Sequence, residues 1–348
     1  MLEYHIEEVR PGDRKSNRMI DDLLEQEGIQ RDANLDYTCA LYDENGRVAA
    51  TGSCFGNTLR CLAVSHAYQG RGLLNKIVSH LVEVQCARGN AHLFVYTKCQ
   101  SAKFFRDLGF YEIARVDGRL VFMENRRTGF RDYLKNLERE KKEGKKVAAV
   151  VMNANPFTLG HQYLIEKASA ENDVLHVFIL DEEASLVPFP VRKRLVMEGT
   201  AHLPNICYHD SGPYIISSAT FPSYFLKDRA AVIEGHARLD LAVFVRIAHA
   251  LNIKRRYVGE EPTSRVTGIY NRIMRAELPE AGIDCVVVPR KKQNGRVISA
   301  STVRSAIHEG HLERIREMVP PATYRYFTSS EAAPVIARIV NEREVVHY

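Results

Sequence analysis

VAAVVMNANPFTLGHQYLIEKA, Val147 to Ala168, is the stretch whose reading decides the architecture. Its opening apolar run, bounded by charge on one side and by Asn-Ala-Asn-Pro on the other, has the pattern of a fully buried parallel strand. Pro156 cannot donate a ladder hydrogen bond and biases Asn155 away from the helical region, so the strand stops and the chain turns. Leu164, Ile165 and Ala168 then fall at helical spacing. Thr158 and His161, at the mouth of that helix, are spaced to share one face. Unpaired N–H groups at a helix start carry partial positive charge and attract phosphate, and Gly160 lets a ligand approach the backbone closely. A plainer role fits the same residues, with Thr158 as a helix cap and His161 as an exposed first-turn residue.

Downstream, strands and helices alternate. Val174 to Leu180 reads as a strand and Phe189 to Leu203 as a helix, with Arg192, Lys193 and Arg194 in its first half; such cations more often face water than phosphate. Asp240 to Leu251 is an amphipathic helix, and Arg256 to Val258 a strand running into Gly259-Glu260-Glu261-Pro262. A helix with Val266, Ile269, Tyr270 and Ile273, a strand at Ile283 to Val288 and a helix at Ser299 to Ile307 follow, and Leu312 to Val319 with Pro320-Pro321 closes the segment. This alternation predicts a parallel sheet covered on both faces. Ligands of such sheets sit beyond the carboxyl ends of the strands, so Gly259 and Glu260 should border the bound molecule.

The amino-terminal part has a different grammar. Tyr4 to Val9 alternates as a strand, and Ser16 to Glu27 carries Met19, Ile20, Leu23 and Leu24 on a helical stripe. Tyr37 to Tyr42 and Arg47 to Cys54 flank Asp43-Glu44-Asn45-Gly46, where Asn-Gly should supply the positive φ angles of a tight hairpin turn. A strand at Leu59 to Val64 runs into Gln69-Gly70-Arg71-Gly72-Leu73-Leu74 and then a long helix, a second strand, glycine loop and helix suited to an anion. After a strand at His92 to Tyr96, Ser101 to Phe110 reads as a helix with Phe104, Phe105 and Leu108 as core and Gly109 as terminator. Arg126 to Lys146 is charge-rich, with Phe130, Tyr133, Leu134 and Leu137 at helical spacing, and reads as a solvated connecting helix. The chain is thus divided into residues 1–125, 126–145 and 146–348.

Composition bounds the function. The 348 residues, 45% hydrophobic and 26% charged, suit a soluble globular protein of about two domains. The 48 basic and 43 acidic residues are too balanced to imply a nucleic-acid surface, whereas phosphorylated small molecules remain compatible. The 7 cysteines are scattered without a C-x-x-C pair, which fits reduced thiols in a cytoplasm. The first residues, MLEYHIEEVR, carry acid where a secretion signal needs positive charge, and no run approaches the ~18 apolar residues of a membrane span.

Two resemblances add to this reading. The T-x-G-H of Thr158 to His161, together with Ile298-Ser299-Ala300-Ser301-Thr302-Val303-Arg304, resembles the paired signatures of the HIGH-type nucleotidyltransferases. Ala300 replaces the second Ser of their I-S-S-T-x-x-R, and Ser301 stands for Thr. The Gln69 to Leu74 loop and the Ser101 to Phe110 segment resemble the acetyl-CoA loop and the A-x-x-F-Y-x-x-x-G-F helix of the GNAT acyltransferases, with Leu74 where a small residue is expected. The union of both, with the NANPFTLGH segment and Val258-Gly259-Glu260-Glu261-Pro262, looks like the citrate (pro-3S)-lyase ligase family, also called acetate:SH-citrate lyase ligase, over nearly the whole chain.

That resemblance implies an α/β chain, a GNAT-like domain followed by a Rossmann-like nucleotidyltransferase domain. It implies an AMP-forming acid–thiol ligase with ATP and Mg²⁺, converting acetate to acetyl-adenylate and acetylating the prosthetic-group thiol of citrate lyase's acyl-carrier subunit. Thr158, His161 and Arg304 would be catalytic; Asn155, Phe157, Gly160, Gly259, Glu260, Ser299 and Ser301 would bind nucleotide. Gln69, Gly70, Arg71, Gly72 and Leu73 would meet the carrier's dephospho-CoA-like group. Two alternatives stay open: a bifunctional acetyltransferase and coenzyme adenylyltransferase acting on a phosphorylated small molecule, and a nucleotide-responsive binding module.

Overall fold

The computed structural model describes residues 4–32, 34–182, 185–216, 221, 229–260, 265–293 and 296–342. Glu261 and Pro262 lie outside the described residues. The chain divides into two compact units, Met1–Tyr133 with Pro222–Ala242, and Leu134–Phe221 with Val243–Tyr348.

The first unit is built on β1 (His5–Glu8), α1 (Arg14–Gln26), β2 (Tyr37–Tyr42), β3 (Val48–Phe55), β4 (Thr58–Val64), α2 (Leu73–Ala87), β5 (Phe94–Lys98), α3 (Ala102–Asp107), β6 (Tyr111–Val116) and β7 (Leu120–Glu124). Its seven-stranded sheet runs β1-β2-β3-β4-β5-β7-β6, antiparallel except where β4 meets β5. That parallel pair is in register only at Thr58 with Phe94 and Leu59 with Val95. Leu41, Leu59, Ile77, Leu81, Val95 and Phe105 form the core between sheet and helices. This mixed sheet, with the glycine loop before α2, is the GNAT-like arrangement expected.

Several local expectations are corrected. In the β2–β3 turn only Gly46 has positive φ, at 72°, while Gly46 N donates to Asp43 O at 3.0 Å. The turn is closed by Asp43, whose Oδ1 accepts from Asn45 N and Arg47 N, so Asn45 needs no left-handed conformation. Helix α3 is short and buries Phe105, but Phe104 is 49% exposed and is not core. The fifth strand starts at Phe94 rather than His92, whose Nε2 instead lies 2.7 Å from Glu124 Oε2.

After α4 (Gly129–Arg139) come β8 (Val147–Met152), α5 (Leu159–Ala170), β9 (Val174–Ile179), α6 (Phe189–Gly199), β10 (Ile206–Asp210), α7 (Arg229–Ala250), β11 (Arg255–Gly259), α8 (Arg265–Glu277) and β12 (Asp284–Val288), all in the second unit except the start of α4 and the part of α7 up to Ala242, which count with the first. A short hairpin of Lys292–Gln293 and Arg296–Val297 precedes α9 (Ala300–His308), α10 (Pro321–Phe327) and α11 (Ala333–Asn341). The five strands are all parallel, in the order β10-β9-β8-β11-β12. From β8 the chain winds outward one way through β9 and β10; β11 and β12 lie on the other side of β8. The winding reverses between β8 and β11, so the crevice for a ligand opens at their carboxyl ends, after Met152 and Gly259. Helix α6 ends at Gly199 rather than Leu203: Thr200 leaves the helical region at φ −120° and its hydroxyl donates back to Val196 O at 2.6 Å, and a Cβ on Gly199 would lie 2.6 Å from the Phe157 ring.

Arg192 overturns the expectation of a solvated cation. It is wholly buried and donates to four carbonyls, Val187 O at 2.9 Å, Asn153 O at 2.7 Å, Leu180 O at 2.8 Å and Glu182 O at 3.2 Å. It ties the carboxyl ends of β8 and β9 to the approach of α6, and burial lowers its pKa to about 10. Its neighbours are paired outside, Lys193 with Asp210 at 2.6 Å and Arg194 with Glu331 at 2.7 Å.

Candidate active site

Both signatures fold first of all as helix caps. Thr158, at φ −121° and ψ 166°, caps α5; its Oγ1 accepts from His161 N at 3.3 Å, and Thr158 N donates to His161 Nδ1 at 3.1 Å. This is a reciprocal capping box with an imidazole where Glu is usual. A backbone N–H only donates, so Nδ1 is the acceptor and the ring proton sits on Nε2. The Thr158 hydroxyl, 2.9 Å from the same Nδ1, is 1% exposed and spent on these internal contacts. Burial, followed by the Arg290 charge, lowers the His161 pKa to about 4, leaving a neutral ring with an N–H donor at ordinary pH. The plainer expectation of a capping Thr158 holds, but the capping imidazole is partly buried rather than exposed.

Ser299 repeats the device on α9, its Oγ accepting from Thr302 N at 3.1 Å and lying 2.8 Å from Ser301 Oγ. Ser301 is 8% exposed. The two caps are brought together by a glycine: a Cβ on Gly160 would lie 3.2 Å from the Ile298 carbonyl oxygen, immediately before the Ser299 cap. A side chain at position 160 would press on that backbone. Arg304, 5% exposed, donates from Nη1 to Asn155 O at 2.6 Å, and Asn155 Oδ1 accepts from Val187 N at 3.0 Å. Residues nearly 150 apart in sequence thereby fix the loop between β8 and α5.

The other expected residues separate in position. Phe157 is fully buried and stacks on His161, ring centres 6.0 Å apart. Gly259 ends β11, its carbonyl accepting from Asn271 Nδ2 at 3.0 Å, and Glu260 is exposed at the same edge. Glu260, Asn271, Arg272 and Arg275 line a cavity of about 480 Å³ between α8 and β12. The Gln69–Leu73 loop belongs to the first unit. Gly70 and Gly72 adopt φ of 78° and 71°, Gln69 and Arg71 are exposed, and Leu73 is buried. Arg71 donates to Tyr4 Oη at 3.1 Å and lies over the Tyr68 ring.

Sequence reasoning missed Arg290. It follows β12, donates from Nε to Glu260 O at 2.8 Å, and acts electrostatically on His161. A run of cations, Arg290 to Lys292, directly after a parallel strand was the signal available. Neutral imidazole N–H, helix N-termini and cations at the switch point form an arrangement suited to a polyphosphate rather than to covalent catalysis.

A model of the citrate lyase ligase C-terminal domain matches residues 147–327. The citrate (pro-3S)-lyase ligase of Haemophilus influenzae is 36% identical over 320 residues, which is 90% of this chain and 96% of that protein. Among solved structures, a GNAT-family acetyltransferase of Staphylococcus aureus matches at 14% identity and a TM-score of 0.31, over 36% of this chain and all of that one. A Vibrio parahaemolyticus protein described as a nicotinate-nucleotide adenylyltransferase matches at 17% identity and a TM-score of 0.38, over 55% of this chain and 95% of that one. Structural likeness at this level assigns no function, whereas the sequence identity spans both units: the chain belongs to the citrate (pro-3S)-lyase ligase family.

Proposed function

We propose that this ligase activates acetate with ATP and passes the acetyl group to the prosthetic-group thiol on the acyl-carrier subunit of citrate lyase. The observation that carries the reading is the meeting of two capped helix N-termini at the switch point, with a neutral His161 in the first turn of one of them. In the first half-reaction an acetate oxygen attacks the α-phosphorus of ATP, the bond to the β-bridging oxygen breaks, and pyrophosphate leaves with its electron pair. In the second, the carrier sulfur attacks the acetyl carbon, AMP departs, and the thiol proton passes to solvent. Such transfer depends on positioning and on charge neutralisation. His161 donates from Nε2 to a phosphoryl oxygen, and Thr158 orients that ring. Arg304 shapes the loop that receives the nucleotide, beside the hydroxyls of Ser299 and Ser301, while Gly259 and Glu260 border its far side.

Mg²⁺ would travel on the triphosphate with most of its waters and supply charge neutralisation there; Glu260 is an exposed carboxylate at that edge able to bind its water shell. The Gln69–Leu73 loop, with its left-handed Gly70 and Gly72, is assigned to docking the carrier's prosthetic group. Exchange of labelled pyrophosphate into ATP tests the adenylation step. It is expected only when acetate is added; exchange driven by a phosphorylated coenzyme precursor without acetate would overturn the reading in favour of coenzyme adenylyltransfer.

A further inference from the structure

Adenylation releases a highly charged pyrophosphate, and the recognised signatures offer little charge at the surface to receive it. His161 is neutral. Arg304 is buried against the Asn155 carbonyl, Arg192 is enclosed by backbone carbonyls, and Lys193 is paired with Asp210. A different segment supplies cations at this edge.

After β12 the residues Pro289 to Lys291, with Val297 and Ile298 returning beside them, form a strap pinned at three points. Arg290 Nε donates to Glu260 O at 2.8 Å, which anchors the strap to the carboxyl end of β11. Lys291 O accepts from Ile298 N at 3.3 Å, which closes the strap onto the residue before the α9 cap. Lys291 Nζ lies 5.8 Å from the centre of the Tyr163 ring, on the first turns of α5. The carbonyl of the same Ile298 abuts Gly160. Arg290 is therefore fastened to β11 in a strap that reaches the α5 cap, bordering both signatures without belonging to either, and it is half-buried.

Resting on the adenylation reading, we propose that Arg290 is the phosphate-binding residue that holds the leaving pyrophosphate beside His161. The bond through Nε fixes the plane of the guanidinium, and a planar, permanently charged fork suits phosphate oxygens better than a flexible ammonium. The same charge works together with burial to keep His161 unprotonated, so the ring donates a hydrogen bond instead of competing as a second cation. Arg290 and His161 then divide the work, one neutralising charge and the other donating a hydrogen bond.

The test uses the full chain with Arg290→Gln and Arg290→Lys. In acetate-dependent pyrophosphate–ATP exchange, Arg290→Gln is expected to raise the KM for pyrophosphate about tenfold or more and to lower kcat on the order of 10²-fold, with the KM for acetate unchanged. Arg290→Lys should recover part of the kcat. In the ligand-free protein, an NMR titration of His161 should show a higher pKa in Arg290→Gln than in the parent. Exchange in the parent with an unaltered pyrophosphate KM in Arg290→Gln overturns the assignment alone, as does an unmoved His161 titration. No acetate-dependent exchange in the parent sinks the adenylation reading, and this assignment with it.

Discussion

The proposed function gives His161 a second duty beside its cap, and replacement by Asn separates the two. Nδ1 accepts from Thr158 N at 3.1 Å and so completes the α5 cap, while Nε2 carries the proton that the proposed mechanism offers to substrate. An Asn side chain places Oδ1 on the atom bonded to Cγ, where Nδ1 stood, and ends before the Nε2 position. His161→Asn therefore keeps the cap acceptor and deletes the donor. Loss of one donor aimed at developing charge costs about 10²- to 10³-fold in kcat, roughly 3–4 kcal/mol of transition-state stabilisation. His161→Ala removes both duties and adds the loss of a cap, about 0.5–2 kcal/mol of stability. Because Thr158 is 1% exposed, its N–H gains no ready water in exchange, which puts the loss towards the upper end. Acetate-dependent pyrophosphate exchange and urea unfolding, measured on parent, Asn and Ala variants, read the two effects independently. Near-parent exchange in a folded His161→Asn would refute the donor assignment; equal destabilisation by Asn and Ala would refute the cap argument.

Acid should weaken the fold in part through the same ring. Its folded pKa, about 4, lies below the reference value of 6.5, so between those values the unfolded chain binds a proton that the folded chain refuses. Stability conferred by the neutral ring is complete above about pH 6.5 and falls as pH drops toward 4, by on the order of 3 kcal/mol. Urea unfolding at the two ends of that range should show a smaller decline in His161→Asn than in the parent. Arg192→Met fills similar space but strands four carbonyls; a loss of at least about 3 kcal/mol is expected, and an unchanged urea midpoint would show that water replaces the guanidinium. Gly199→Ala drives a methyl to within 2.6 Å of the buried Phe157 ring, which should cost about 1–3 kcal/mol and disturb the ring stacked on His161; thermal unfolding that matches the parent would show that the ring moves aside freely.

What the sequence determined by itself was local. The apolar run at Val147, the stop imposed by Pro156, the helical spacing after Thr158 and the glycine loop at Gln69 to Leu74 each act through neighbours in the chain, and each folded into the element expected. Short or weakly patterned strands escaped: Ile206–Asp210 places His and Asp in a parallel edge strand, and the Tyr111–Val116 and Leu120–Glu124 hairpin was announced only by Asp117-Gly118. Tertiary structure decided what depends on distant pairings. A cation early in a helix reads as solvated until the fold gathers four carbonyls around Arg192, and Phe104 reads as core until α3 turns it outward. The T-x-G-H and S-A-S-T segments carry their pattern locally. What brings them together is the contact of Gly160 with Ile298 and Arg304 reaching Asn155, because hydrogen bonding and steric fit act through space over a few ångströms, whatever the separation along the chain.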